Sequence, residues 1–163
     1  MGSYLKTLIV YYSRTGKTKS VAEKIAYELG AEIEEVIDKK KRSGALGFLS
    51  GGMDATIGRK TEIAETNKNP GDFDLIVVGS PVWSSSPTPA IRTYLSKHDL
   101  EGKKVAAFYT SEGTGNEKAI AKIKGLVPNG DSAEILVVQK PNKDKAETDS
   151  KIVEWCSRLK SLD

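Results

Sequence analysis

Short apolar runs alternate along this chain with longer amphipathic segments, and that alternation limits the folds open to it. Residues 6–12, centred on Leu8-Ile9-Val10-Tyr11-Tyr12, read as a buried strand. Leu75-Ile76-Val77-Val78-Gly79 reads as another, apolar enough to be covered on both faces. Ala31–Ile37 is shorter and partly polar, which suits a sheet edge, and Val105–Tyr109 and Ile135–Val138 bring the set to five. The segments between them carry a helical period. Within 16–29, Val21, Ala22, Ile25, Ala26 and Leu29 form one stripe, Lys19, Glu23, Lys24 and Glu28 face away, and Gly30 stops the helix. Pro87–Ser96 turns Ile91, Tyr94 and Leu95 inward, and Asn116–Leu126 turns Ile120, Ile123 and Leu126 inward. Residues 146–162 place Ile152, Trp155, Cys156, Leu159 and Leu162 on one side. Strands alternating with helices argue for a parallel sheet covered on both faces. The expected architecture is one α/β domain over 1–163, a doubly wound five-stranded parallel sheet in the order 2-1-3-4-5.

Residues 38–72 break the pattern. Asp38-Lys39-Lys40-Lys41-Arg42 is a basic run that reads as a solvated turn. Gly44, Gly47, Gly51, Gly52 and Gly58 then interrupt an apolar segment containing Leu46, Phe48, Leu49 and Met53. A helix must cover the sheet between the second and third strands, so part of 52–65 is expected to be helical. A connection this long inside a compact fold is expected to be functional or mobile.

In a sheet of this order, ligands sit beyond the carboxyl ends of the strands, where strands 1 and 3 diverge. Three loops meet there: 13–18, 80–89 and 110–116. The first is Ser13-Arg14-Thr15-Gly16-Lys17-Thr18, between a strand and a helix. The first amides of a helix have no intrahelical acceptor, its dipole favours an anion there, and Gly16 lets the backbone approach closely. Gly16-Lys17-Thr18 fits the end of a Walker A loop, but position 11 is Tyr where that loop needs Gly. A dinucleotide fingerprint fails as well, since Gly16 is the one glycine in the loop. A cradle for a terminal monophosphate remains, beside the plainer reading of an ordinary turn capped by a hydroxyl. The second loop, Ser80-Pro81-Val82-Trp83-Ser84-Ser85-Ser86-Pro87, is stiffened by two prolines and puts an indole at an exposed end. That indole is either a lid on the core or a stacking surface for a flat ligand. The third, Thr110-Ser111-Glu112-Gly113-Thr114-Gly115-Asn116, is small and polar, with Glu112 its one acidic group. Together the loops describe a slot for a planar polar ring with a phosphate tail.

Composition closes off other chemistries. A single cysteine, Cys156, and a single histidine, His98, leave no disulfide framework, metal cluster or Ser-His-Asp triad to build. A net charge of +3 with mixed signs is too mild for nucleic-acid binding. No apolar run approaches the roughly 20 residues that span a bilayer. Met1-Gly2-Ser3-Tyr4-Leu5-Lys6 runs straight into the first strand, leaving no room for a signal peptide, so a cytoplasmic location is expected. A phosphorylated receiver domain would need acidic residues where Tyr12-Ser13 and Gly79-Ser80 stand, and no G-x-S-x-G elbow is present. Cys156, Trp155 and His98 read as two core residues and a helix end.

Tyr12–Thr18, Gly79–Trp83 and Thr110–Gly115, each behind its strand, resemble the flavodoxin family, and the likeness extends over nearly the whole chain. The resemblance implies a flavodoxin-like fold and FMN held without a covalent link. It implies that Ser13, Thr15, Gly16, Lys17 and Thr18, with Arg14 in the same loop, hold the phosphate. It further implies that Ser80, Pro81, Val82, Trp83, Ser84 and Ser85 flank the isoalloxazine ring on one side, and Thr110, Ser111, Glu112, Gly113, Gly115 and Asn116 on the other. No side chain is assigned a catalytic role and no metal is called for. Many family members carry a glycine in the tryptophan loop whose peptide turns over on reduction. Serines stand there instead, and because serine resists φ > 0, weaker stabilisation of the one-electron-reduced flavin is expected. The third loop also lacks the tyrosine that often stacks on the ring. Two functions are in play, with electron carriage placed ahead of reductase activity. In the first, the chain carries electrons between redox partner proteins, although its slight basicity departs from the usual acidic docking face. In the second, it is an FMN-dependent NAD(P)H:quinone or related small-acceptor oxidoreductase, with residues 43–60 shaping a substrate pocket and Lys39–Arg42 attracting the phosphates of a nicotinamide cofactor.

Overall fold

A computed structural model describes residues 4–42 and 44–162. Met1, Gly2, Ser3, Ser43 and Asp163 lie outside the described residues, as do the side chains of Ala45, Phe48 and Thr56. The elements run β1 (Thr7–Tyr11), α1 (Lys17–Leu29), β2 (Glu32–Glu35), α2 (Gly44–Thr56), β3 (Leu75–Pro81), α3 (Pro89–Lys97), β4 (Lys104–Ser111), α4 (Asn116–Lys124), β5 (Ile135–Gln139) and α5 (Lys145–Lys160). The five strands form one sheet in the order β2-β1-β3-β4-β5, with every neighbouring pair parallel. This is the arrangement expected from the sequence.

The strands bury both faces, and alternate residues supply two separate cores. Leu8, Val10, Ile76, Val78, Val105, Ala107 and Tyr109 point to one side, where Ile91 and Tyr94 of α3 and Ala119 and Ile123 of α4 meet them. Ile9, Tyr11, Leu75, Val77, Ala106 and Phe108 point to the other, against Val21 and Ile25 of α1 and Ile152, Trp155, Cys156 and Leu159 of α5. Helices therefore cover both faces. Helix α1 ends where Gly30 takes a left-handed φ of 60° and returns its N–H to the Ala26 carbonyl. Helix α4 stops at Lys124, so Val127 enters the core while Leu126 stays partly exposed. His98 ends α3, its N–H bonded to the Tyr94 carbonyl and its ring beside that of Tyr94.

The stretch between β2 and β3 departs from expectation in two ways. Its helix spans Gly44–Thr56, so 52–56 is the helical part of the expected 52–65, the helix starts earlier than expected, and residues 57–65 are non-helical, with Ile63 bridged to Asp38. Paired glycines argue against a helix at 51–52, but tertiary contacts with Trp83 and Ser84 override that propensity. The run 38–42 is also no simple solvated turn. Lys39, Lys40 and Lys41 are exposed, but the side chains of Arg42 and Asp38 are almost wholly buried. Among the described residues, no helix is long and apolar enough to cross a membrane.

Candidate functional site

Strand β1 delivers Tyr12 and Ser13 to the top of the sheet, where Tyr12 N–H still bonds the Gly79 carbonyl of β3. The chain then turns through Gly16, whose φ of 94° is open to glycine at little cost, and enters α1. Ser13 organises the turn: its Oγ accepts the Gly16 amide at 3.1 Å and the Lys19 amide at 3.2 Å. Lys17 and Thr18 amides cannot bond within the helix, and among the described residues nothing accepts from them. Thr18 is buried, and its hydroxyl shares a 2.7 Å hydrogen bond with that of Thr110 on β4. Lys17 Nζ reaches Glu112 Oε1 at 2.6 Å, so Glu112 has a partner across the mouth of the site. Both groups are solvent-exposed, which makes the pair weak and easily displaced by a stronger anion.

Strands β3 and β4 run longer than expected, to Pro81 and Ser111, so Ser80, Pro81, Thr110 and Ser111 are held in the sheet rather than in loops. Val82 N–H continues the ladder to the Thr110 carbonyl. Ser80 is buried, its hydroxyl donating to the Pro81 carbonyl and accepting from the Thr88 amide, which clamps the base of the tryptophan loop. The loop tip is a tight reverse turn in which Trp83 and Ser86 exchange both backbone hydrogen bonds. Such a turn needs φ > 0 at both central residues, and Ser84 and Ser85 adopt 47° and 59°. The premise that serine would avoid this conformation therefore does not hold: the two closing hydrogen bonds impose it.

Ten of the expected residues line one crevice of about 300 Å³: Arg14, Thr15, Lys17 and Thr18 from the first loop, Pro81, Val82 and Trp83 from the second, Thr110, Ser111 and Glu112 from the third. The others are placed differently. Ser13 faces a basic hollow of about 450 Å³ on the far side of the loop, together with Lys40, Lys41 and Arg42. Gly16 gives the turn its shape. Ser85 abuts Gly115, where a Cβ would lie 2.4 Å from Ser85 Oγ. Gly113 donates its amide to Ser111 Oγ at 3.0 Å. Asn116 opens α4 with its Oδ1 buried and without a hydrogen-bond partner, next to that Ser85–Gly115 contact.

Trp83 is gripped rather than free. Tyr12 meets it edge to face with ring centroids 5.5 Å apart, and Gly51 of α2 lies so close that a Cβ would stand 2.6 Å from Cζ3 of the indole. The Arg42 guanidinium stands 6.0 Å from the indole centroid. Arg42 is fixed in turn by Nε to Asp38 at 2.6 Å and Nη1 to Asp54 at 3.0 Å, with Lys40 also on Asp54 at 2.9 Å. These cations, Lys40 first, hold the Asp54 carboxyl below its usual value, whereas burial pushes the Tyr12 phenol up to about 12. Sequence patterning missed this support because Asp38, Arg42 and Asp54 read as ordinary charges. Glycines at 51 and 52 inside an apolar run were the available signal.

A family model described as Flavodoxin matches residues 6–158. Among curated proteins nothing matches. Among solved structures, a flavoprotein from Lactobacillus acidophilus NCFM in complex with FMN is 31% identical over 90% of this chain and 99% of that one, with a TM-score of 0.67. The apo-form of the flavoprotein from that organism is 28% identical over 88% and 98%, at 0.62. Oxidised Flavodoxin 2 from Bacillus cereus, at 21% identity over 93% and 95% with a TM-score of 0.56, shares the fold.

Proposed function

The chain belongs to the flavodoxin family, and from that premise we propose that it binds FMN in the crevice between the three loops and passes electrons through it. One observation carries the proposal: a helix N-terminus whose Lys17 and Thr18 amides find no acceptor among the described residues adjoins a crevice that Trp83 also lines. The donor set fits a phosphate monoester. The first loop lines the crevice with Thr15, Lys17 and Thr18, which offer hydroxyls, an ammonium and the backbone N–H groups at the start of α1. Ser13 contributes from behind, holding the amides of Gly16 and Lys19 in place. Pro81, Val82 and Trp83 supply apolar surface to the same crevice. FMN, when bound, supplies one- and two-electron chemistry. The protein's part is to orient the ring, shield it from water and set its surroundings, without a side chain acting as acid or base.

The electron acceptor is either a redox partner protein or a small molecule such as a quinone. A pocket of about 370 Å³ lined by Leu49, Met53 and Ile57, which shares Val82 and Trp83 with the crevice, favours the small molecule. Absorption spectroscopy and titration of the apoprotein with FMN and with riboflavin test the cofactor assignment. Tight one-to-one FMN binding, with riboflavin much weaker, is expected. Equal affinity for the two would remove the phosphate role of residues 13–18. Reduction by NAD(P)H with rapid turnover on a quinone would mark an enzyme, and reduction through a protein reductase alone would mark a carrier.

A further inference from the structure

Helix α2 is packed inside out. Its buried positions are Gly47, Gly51, Asp54 and Ala55, spaced along one side. The glycines bring it down onto the protein. A Cβ at 47 would stand 2.2 Å from the Arg42 backbone, and one at 51 would stand 2.6 Å from the Trp83 indole. Large apolar side chains lie on the open side instead. Leu46, Leu49 and Met53, with Ile57 just beyond the helix, recur at three- and four-residue spacing, and each is more than half exposed. The other exposed large hydrophobics among the described residues, Tyr4, Tyr27, Ile37 and Val153, lie on other parts of the chain. Packing of the core does not account for this stripe.

Positive charge is concentrated at the same place. Residues 39–60 hold six basic residues and one acidic residue, whereas the whole chain holds 25 and 22. The rest of the chain is therefore slightly acidic, and the stretch around α2 carries the net positive charge. Lys39, Lys40 and Lys41 precede the helix, Arg59 and Lys60 follow Ile57, and all five are exposed. The one acidic residue, Asp54, is buried and paired with Arg42 and Lys40. Just outside the stretch, Asp38 is buried against Arg42 and Glu62 is held by Lys39. The 13 residues of α2 make a helix about 20 Å long, bracketed by cations at both ends.

We propose that α2 lies flat on an anionic lipid surface, with its apolar stripe at the headgroup–acyl boundary and its flanking cations among the headgroup phosphates. A helix with one apolar face and basic surroundings rests in the plane of that boundary. Clustered lysines and arginines are drawn to negative headgroups, and their long stems let the charges reach the phosphates while apolar neighbours stay buried. A protein partner is met differently. Protein interfaces carry about one hydrogen bond per 100–200 Å² and favour aromatic side chains, and Leu46, Leu49, Met53 and Ile57 offer neither. A second copy docking through the same face would set the cations of one chain against those of the other. The helix is already pinned by Arg42 to Asp38 and Asp54, so docking need not order it first. The proposal concerns lipid binding alone and does not depend on the flavin reading of the crevice.

The test uses the full-length protein with sucrose-loaded vesicles of phosphatidylcholine alone and of equal parts phosphatidylcholine and phosphatidylglycerol. Co-sedimentation should show binding to the mixed vesicles roughly tenfold or more tighter than to the neutral ones, weakening as salt is raised. Leu46→Asp with Leu49→Asp should abolish this binding, and Lys41→Glu with Lys60→Glu should weaken it roughly tenfold, with far-UV circular dichroism checking that each variant keeps its helices. A measurement on the unaltered chain stands beside them. In bicelles of the mixed composition, nitroxide-labelled phosphatidylcholine should broaden the methyl signals of Leu46, Leu49, Met53 and Ile57 and leave those of Val153 on α5 sharp. No binding to the mixed vesicles, equal binding to the neutral ones, folded variants that bind as before, or broadening centred elsewhere would overturn the proposal. So would lipid-free shifts of the same methyls that grow with protein concentration alongside a dimer in sedimentation, which would assign the stripe to a second copy. Saturable shifts with poly-L-glutamate without vesicle binding would also overturn it, and would assign the face to an acidic protein.

Discussion

Replacing Arg42 by Met removes the cation at the centre of the α2 anchor while keeping most of its volume. The Arg42 side chain is 2% exposed, and its carboxylate partners Asp38 and Asp54 are 3% and 7% exposed. Removing one member of a buried pair costs roughly 3–5 kcal/mol, because the other charge is left without compensation. Here both carboxylates retain help. Asp38 keeps the Thr61 hydroxyl at 2.8 Å and the Lys40 amide at 2.9 Å, and Asp54 keeps Lys40 Nζ at 2.9 Å. The lower end, about 3 kcal/mol, is therefore expected. The anchor joins residues 38, 42, 50, 54 and 61 and leaves the sheet untouched, so the loss should be local. Amide hydrogen exchange reads this directly: protection of α2 should fall on the order of a hundredfold, with β1 and β3 changed far less. Adding Asp38→Asn and Asp54→Asn to Arg42→Met should recover most of the protection, since no carboxylate is then stranded. Unchanged α2 protection in Arg42→Met would refute the anchor. A uniform loss across the sheet would refute its locality.

Acid should reproduce part of this effect. Asp54 is held below its usual 3.8 by Lys40 and Arg42, so its contribution is complete above that pH and disappears as pH falls through the lower folded value; α2 exchange should accelerate there before β1 exchange does. Gly51→Ala should lose about 1 kcal/mol or more and shift the Trp83 fluorescence, because overpacking against the indole outweighs the roughly 1 kcal/mol of helix propensity gained. Gly52→Ala, which meets only the movable Ser84 hydroxyl, should be neutral or stabilising, and urea midpoints compare the two. Lys17→Ala should weaken FMN about tenfold, ~1.4 kcal/mol, and leave riboflavin unchanged, as read by flavin titration. Burial pushes the Cys156 thiol up to about 11, so alkylation at pH 8 should proceed no faster than unfolding, measured by mass spectrometry against a denatured control.

The sheet order and the place of the crevice were legible in the sequence because both follow from local signals. Strands buried on two faces read as continuous apolar runs, α1 and α5 show their stripes, and Ser13–Thr18 sits where a strand must hand over to a helix. Between β2 and β3 a helix was expected and residues 52–56 belong to it, but its start at Gly44 and its anchoring were not legible, since they depend on contacts distant in sequence. Helix α2 contains glycines that oppose it locally and is held by Trp83, which lies about thirty residues away. Arg42 looks like the last of a run of surface cations until Asp54, twelve positions on, turns it inward. Ser84 and Ser85 take left-handed backbone because Trp83 and Ser86 close a turn around them, not because serine prefers it. Periodicity and propensity report what a segment does alone. The partition between the three-loop crevice and the apolar pocket beside it exists only where distant segments meet on one indole, and the folded chain alone decides that.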